Sequence, residues 1–169
     1  MPIDRIEPPA VAGERTMLAA WLDYHRATLA IKCDGLDAPA LRRRAVPPST
    51  LSLLGLVRHM AEVERGWFRR TLAGEDAPPL YYSEADPDGD FDDVDSADAS
   101  EAFAAWRGEC EHARTLAAAV PSLDEVGAQQ RHGETVSLRW ILVHMIEEYA
   151  RHNGHADLLR QCIDGAVGD

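Results

Sequence analysis

The chain has a single lysine, Lys32, and its 29 acidic residues outnumber 17 basic ones, for a formal net charge of −12. Such a surface is a poor match for a nucleic-acid backbone or an anionic membrane, and excludes both as the main partner. Cysteine is equally scarce. Cys33, Cys110 and Cys162 are odd in number, far apart and without a CxxC pair, so they build no disulfide framework. Reduced thiols in a cytoplasmic protein are the expectation. No apolar run is long and clean enough to cross a bilayer. The opening segment MPIDRIEPPAVAGERTM lacks the basic-then-apolar plan of a secretory signal. Almost nothing alternates as a strand does.

What is present is helical periodicity. With 46% apolar residues over 169 positions, the chain suits one domain, residues 1–169, with a buried core. The first amphipathic stretch runs from Glu14 to Asp34, with Leu18, Trp21, Leu22, His25, Leu29 and Lys32 at steps of three and four and Gly35 placed to stop it. Ser49 or Thr50 is the expected N-cap of the second, which reaches Leu72. The third opens at Asp98 and Glu101, a capping-box spacing, and runs to Val120 before Pro121. The fourth extends from Ser137 to Ile163, ahead of Gly165. These four predict an all-α four-helix bundle with a long crossover between helices 2 and 3.

That crossover, GEDAPPLYYSEADPDGDFDDVDSAD, is rich in aspartate. Asp86, Asp88 and Asp90 alternate as in a calcium loop, but the sixth position is Phe91 where glycine is needed, and the twelfth is Ala97 rather than Glu. A solvated acidic connector is expected instead, with Tyr81, Tyr82 and Phe91 pinning it over one end of the bundle.

The fourth helix contains HMIEEYARHNGH. Its apolar ladder is Ile141, Met145, Tyr149, Leu159 and Ile163, and Glu148 and His152 fall inside that ladder one turn apart. His144 and His155 lie nearer the edge, and Glu147 points away. A buried carboxylate without a partner is costly. Glu148 therefore needs a cation or a dense set of donors, and if it is a metal ligand the metal-free protein is expected to take up a proton there. Glu-x-x-x-His places both side chains on one side of a helix, either as metal ligands or as a structural ion pair. His59, on the flank of the ladder Leu53, Leu56, Met60, Val63 and Trp67, is the best third ligand, and His25 is a further cavity-lining candidate. His112 and His132 look ordinary. Cys110 and Cys162 read as small core residues, and Trp21, Trp67, Trp106 and Trp140 as core rather than cofactor platforms. HExxH is absent, and a di-iron bundle needs two Glu-x-x-His motifs where only Glu109 with His112 fits.

Together, SLLGLVRHMAEVERGWF and SLRWILVHMIEEYARHNGHADLLRQCIDG resemble the DinB-like superfamily of metal-binding four-helix bundles, in particular its actinobacterial branch. The resemblance implies one divalent metal held by His59, Glu148 and His152. The family commonly has His-x-x-x-His in the fourth helix. The Glu148 variant is similar to the zinc site of mycothiol-dependent maleylpyruvate isomerases, which implies zinc, with nickel or iron as alternatives. His25, His144 and His155 are then outer candidates around the ligands. The implied activity is a metal- and low-molecular-weight-thiol-dependent transferase or isomerase with mycothiol as co-substrate. A metal-dependent hydrolase and a non-catalytic metal or small-molecule binder are the other classes. The partners expected are a small-molecule substrate or thiol, and there is room for a homodimer.

Overall fold

A computed structural model describes residues 3–131 and 133–168, so His132 lies outside the described residues. The architecture is all-helical. In chain order the helices are α1 (Glu14–Cys33), α2 (Ala38–Arg42), α3 (Leu53–Glu64), α4 (Gly89–Asp92), α5 (Ala99–Ala119) and α6 (Leu138–Asp164), and a π-helical segment, Arg65–Leu72, continues α3 directly. Among the described residues the only bridges are two isolated pairs, Val126 with Ser137 and Arg131 with Glu134. Among the described residues no helix is long and apolar enough to cross a membrane.

The long helices start and stop where local chemistry satisfies their free backbone groups. Asp98 accepts from the Glu101 amide (3.1 Å) and Ser137 from that of Trp140 (3.3 Å). Gly165, at φ 81°, closes α6 with its amide on the Gln161 carbonyl. The second long helix starts later than the sequence suggests. Ser52, not Ser49 or Thr50, caps it by accepting from Gly55, because Ser49 instead turns its hydroxyl to the Leu51 amide.

α1 packs chiefly on α6, and α3 on α5 and α6. This makes α3 the central helix. Every residue from Leu53 to Glu64 except His59 is buried. Fully buried Leu53, Leu54, Leu56 and Met60 meet Leu138, Ile141, Met145 and Tyr149 in one core, each such side chain contributing about 1.5–3 kcal/mol. Two of the four tryptophans depart from the expected core role. Trp67 and Trp106 are buried, but Trp21 is 41% and Trp140 47% exposed. Cys110 is buried as expected, whereas Cys162 is exposed.

The crossover occupies residues 73–98, against 34–52 and 120–137 for the other two connections. It is not simply solvated. Arg58, buried on α3, donates to the Asp90 and Gly89 carbonyls (3.0 and 2.8 Å) and lies over the Tyr81 ring. Gly89 sits so close to the Tyr81 carbonyl that a Cβ there would approach within 2.5 Å. These ties bring Asp90, buried, and Phe91 down against α3 at the level of His59.

Candidate metal centre

α3 presents His59 and α6 presents Glu148 and His152 toward one another, and one donor atom from each lies within 4.8 Å of the others. Two imidazoles and a carboxylate converging from two helices are a donor set that suits zinc. His59 Nδ1 is 2.8 Å from Asp90 Oδ2. A carboxylate only accepts, so Nδ1 carries the proton and Nε2 is left as the nitrogen that can bind a metal. Phe91 stacks on the same ring, with centroids 4.4 Å apart.

Glu148 is flanked on both sides. His144 Nε2 is 3.4 Å from Oε1 and His152 Nε2 is 3.5 Å from Oε2. Its side chain is 22% exposed, not sunk at the centre of the core. The two flanking imidazoles hold its carboxyl well below the usual carboxylate range, against a smaller opposing effect of burial. The expected proton uptake by a metal-free Glu148 is therefore overturned: solvent and two imidazoles already stabilise the anion.

Of the outer candidates, His144 touches Glu148 and stacks on Trp140, and Trp67 packs against both rings. His155 Nδ1 lies 3.4 Å from His152 Nδ1, and burial, with His152 and Arg151 nearby, lowers its pKa. The structure does not bring His25 into contact with the three donors. Its partners are Asn153, Trp21 and Tyr24. Glu109 and His112 do not pair as ligands either. Glu109 accepts from Arg65 and Arg69, and His112 meets Glu75. A second set, His144, Glu147 and Glu148, is equally close together. Glu147 is exposed and tied to Arg151, which leaves that set open to water.

The sequence offers no sign of Asp90 as a partner of His59, because it sits in a run of aspartates that looks uniformly solvated. The signal available was Arg58, a basic residue within the apolar run Leu53–Val63. It has to be satisfied, and the backbone of the crossover satisfies it.

A cavity of ≈ 550 Å³ lies elsewhere, between α1, α5 and the N-terminal segment, lined by Ile6, Tyr24, Arg26 and Trp106. None of the three clustered donors lines it, so donor geometry rather than volume locates the chemistry. A cleft of ≈ 220 Å³ does reach His59, between the crossover and the π segment.

In comparisons with known proteins, the family model for mycothiol-S-transferase matches residues 17–165. No curated protein matches the chain.

Proposed function

The chain belongs to the mycothiol-S-transferase family, and from that premise we propose a metal- and thiol-dependent transferase. His59, Glu148 and His152 hold one divalent ion, zinc, and mycothiol is the sulfur donor. The observation that carries the reading is the 2.8 Å pair of His59 with buried Asp90. A carboxylate on the far nitrogen fixes the tautomer and ring orientation of a ligating histidine and raises its basicity.

A divalent cation bound by these residues supplies the positive charge that favours thiolate over thiol at neutral pH. The protein's own side chains do the rest. Asp90 holds the His59 proton on Nδ1, His144 orients Glu148, and His155 backs His152. Phe91 stacks on His59, and His144 packs with Trp67 and Trp140 in one three-ring cluster beside the donors. In the transfer, the thiol loses its proton, sulfur bonds to an electrophilic carbon, and the leaving group departs with the bonding pair.

The test is a rate assay with an activated aryl chloride, using zinc-loaded and chelator-treated protein, each with and without mycothiol. Turnover is expected only when zinc and mycothiol are both present. Turnover without thiol would instead indicate a metal-dependent hydrolase, and tight zinc binding with no turnover a binding protein. Either result overturns the transferase reading.

Asp90→Asn tests the support of His59 separately. The amide can present an N–H to His59 Nδ1 and favour the wrong tautomer. Zinc affinity, measured by competition with a chromogenic chelator, is expected to fall about 10- to 100-fold. An unchanged affinity would remove Asp90 from the site.

A further inference from the structure

The cleft that reaches His59 is lined on its other side by Arg70 and Arg131. Arg70 stands on the π segment, and its Nη2 donates to the Tyr82 hydroxyl (3.2 Å). Arg131 comes from the connection between α5 and α6. That connection is fastened to the end of the π segment by the Ala128 and Gln129 amides, which donate to the Leu72 and Thr71 carbonyls (3.1 Å each). The Arg131 guanidinium lies over the Trp67 ring, 4.5 Å from its centroid.

The two arginines converge. A Cβ on Gly66 would stand 3.0 Å from Arg70 Nη2 and 3.1 Å from Arg131 Nη1. Both guanidinium groups thus approach one spot, over backbone that only glycine leaves bare. Neither forms a salt bridge among the described residues, whereas Arg65 and Arg69 of the same segment share Glu109. The Nε atoms of Arg70 and Arg131 are buried without an acceptor. Burial and the neighbouring Arg70 charge both lower the pKa of Arg131, opposed by Tyr82 and Glu148. In a chain with net charge −12, acidic partners are plentiful. Glu62, Asp88 and Asp90 line the rest of this cleft and Glu148 lies near Arg131, yet among the described residues no carboxylate bonds either guanidinium, so the two facing cations meet at a spot that a bound anion would stabilise.

We propose that Arg70 and Arg131 form a carboxylate-binding subsite that selects acidic electrophiles as co-substrates. The inference rests on the transferase reading only in taking this cleft as the one the electrophile occupies. Guanidinium groups present paired N–H donors that match the two oxygens of a carboxylate. The cleft volume of ≈ 220 Å³ suits a small organic acid. Tyr82, already on Arg70, adds a hydroxyl at the same end. A carboxylate bound there places the rest of a short molecule toward His59, the donor that lines the same cleft.

The experiment is a calorimetric titration of chelator-treated full-length protein with succinate, acetate and neutral succinamide. Without metal, a carboxylate cannot gain affinity by ligation. Succinate is expected to bind saturably and succinamide not at all. Arg131→Gln and Arg70→Gln are each expected to weaken succinate by about tenfold or more, the worth of a charged hydrogen bond. Arg131→Lys, which keeps the charge but loses the fork, should fall between, and Gly66→Ala should weaken binding by pushing both guanidinium groups apart. Zinc content and thermal melts of the variants serve as controls for folding. No saturable succinate binding, equal binding of succinamide, or wild-type affinity in folded Arg131→Gln overturns the proposal. If any of these occurs while turnover still needs zinc and mycothiol, only the subsite falls. If turnover fails while succinate binding follows the arginines, the subsite stands without the transferase reading.

Discussion

His152→Ala protein is expected to purify folded but essentially free of zinc, with affinity lowered by more than the roughly 10- to 100-fold typical of an outer partner. The residue is buried, its Nε2 faces Glu148, and its ring centroid is 4.7 Å from that of His59, so its loss removes one of the three converging donors. His155→Ala supplies the contrast. That side chain meets the far nitrogen of His152 and packs edge-on against its ring, so its loss should fall within the outer range and leave a loaded protein at high zinc concentration. Zinc affinity falls on acidification in both, because the imidazoles must shed protons to ligate. The measurement is elemental analysis of untagged protein, followed by chelator competition. Equal loss in the two variants would mean that His155 is a ligand and the donor set is wrong. Thiol-dependent turnover should track occupancy: absent in His152→Ala and restored by added zinc in His155→Ala.

The bundle was legible because its signals are periodic and local. Asp98, Ser137 and Gly165 cap the helices that their residue types suggest, and the three candidate ligands meet because a four-residue step fixes Glu148 and His152 on one side of α6. What could not be read is what depends on distant backbone. The π segment is one such feature. Arg65–Leu72 carries an amphipathic pattern that an α-helix satisfies equally well, and nothing local in RGWFRRTL announces the wider turn. It places Arg65 and Arg69 on Glu109 but Arg70 over the cleft. Asp90 is another, hidden among solvated aspartates until Arg58 draws the crossover in. Trp140 was misplaced because it shares a helical face with the core only at its edge. There it covers His144 and stays half in water.

Glu148, reached by solvent, is not the acid whose charge is sealed inside the protein. Glu64 is, at 0% exposed. Arg26 of α1 donates to it through Nε (2.7 Å) and Nη2 (2.6 Å), and Tyr149 of α6 donates its hydroxyl (2.8 Å). Cys110 of α5 points its thiol at the same oxygen (3.5 Å), and Trp106 donates to the Tyr149 hydroxyl (2.8 Å). The clue in the sequence was Arg26 itself, placed between Leu22 and Leu29 at steps of four and three, on the apolar side of its helix.

One carboxylate thus joins all four long helices. Glu64→Ala leaves the Arg26 guanidinium buried with Asp23 as its remaining carboxylate partner, and is expected to cost about 3–5 kcal/mol. For a chain of this length that lowers Tm by roughly 6–20 °C. The loss should come from the stranded charge rather than from a missing bond, so Arg26→Met combined with Glu64→Leu should recover most of it. Thermal and urea melts of chelator-treated proteins make the comparison without any contribution from metal. If Glu64→Ala melts like the wild type, or if the double variant is no better than the single one, the ion pair is not what the fold depends on. Tyr149 adjoins Glu148 on α6 and is fixed in rotation by this network. The single variant should therefore also bind zinc more weakly at temperatures where it remains folded, and the double variant, which still lacks the acceptor for Tyr149, should regain stability more completely than zinc affinity.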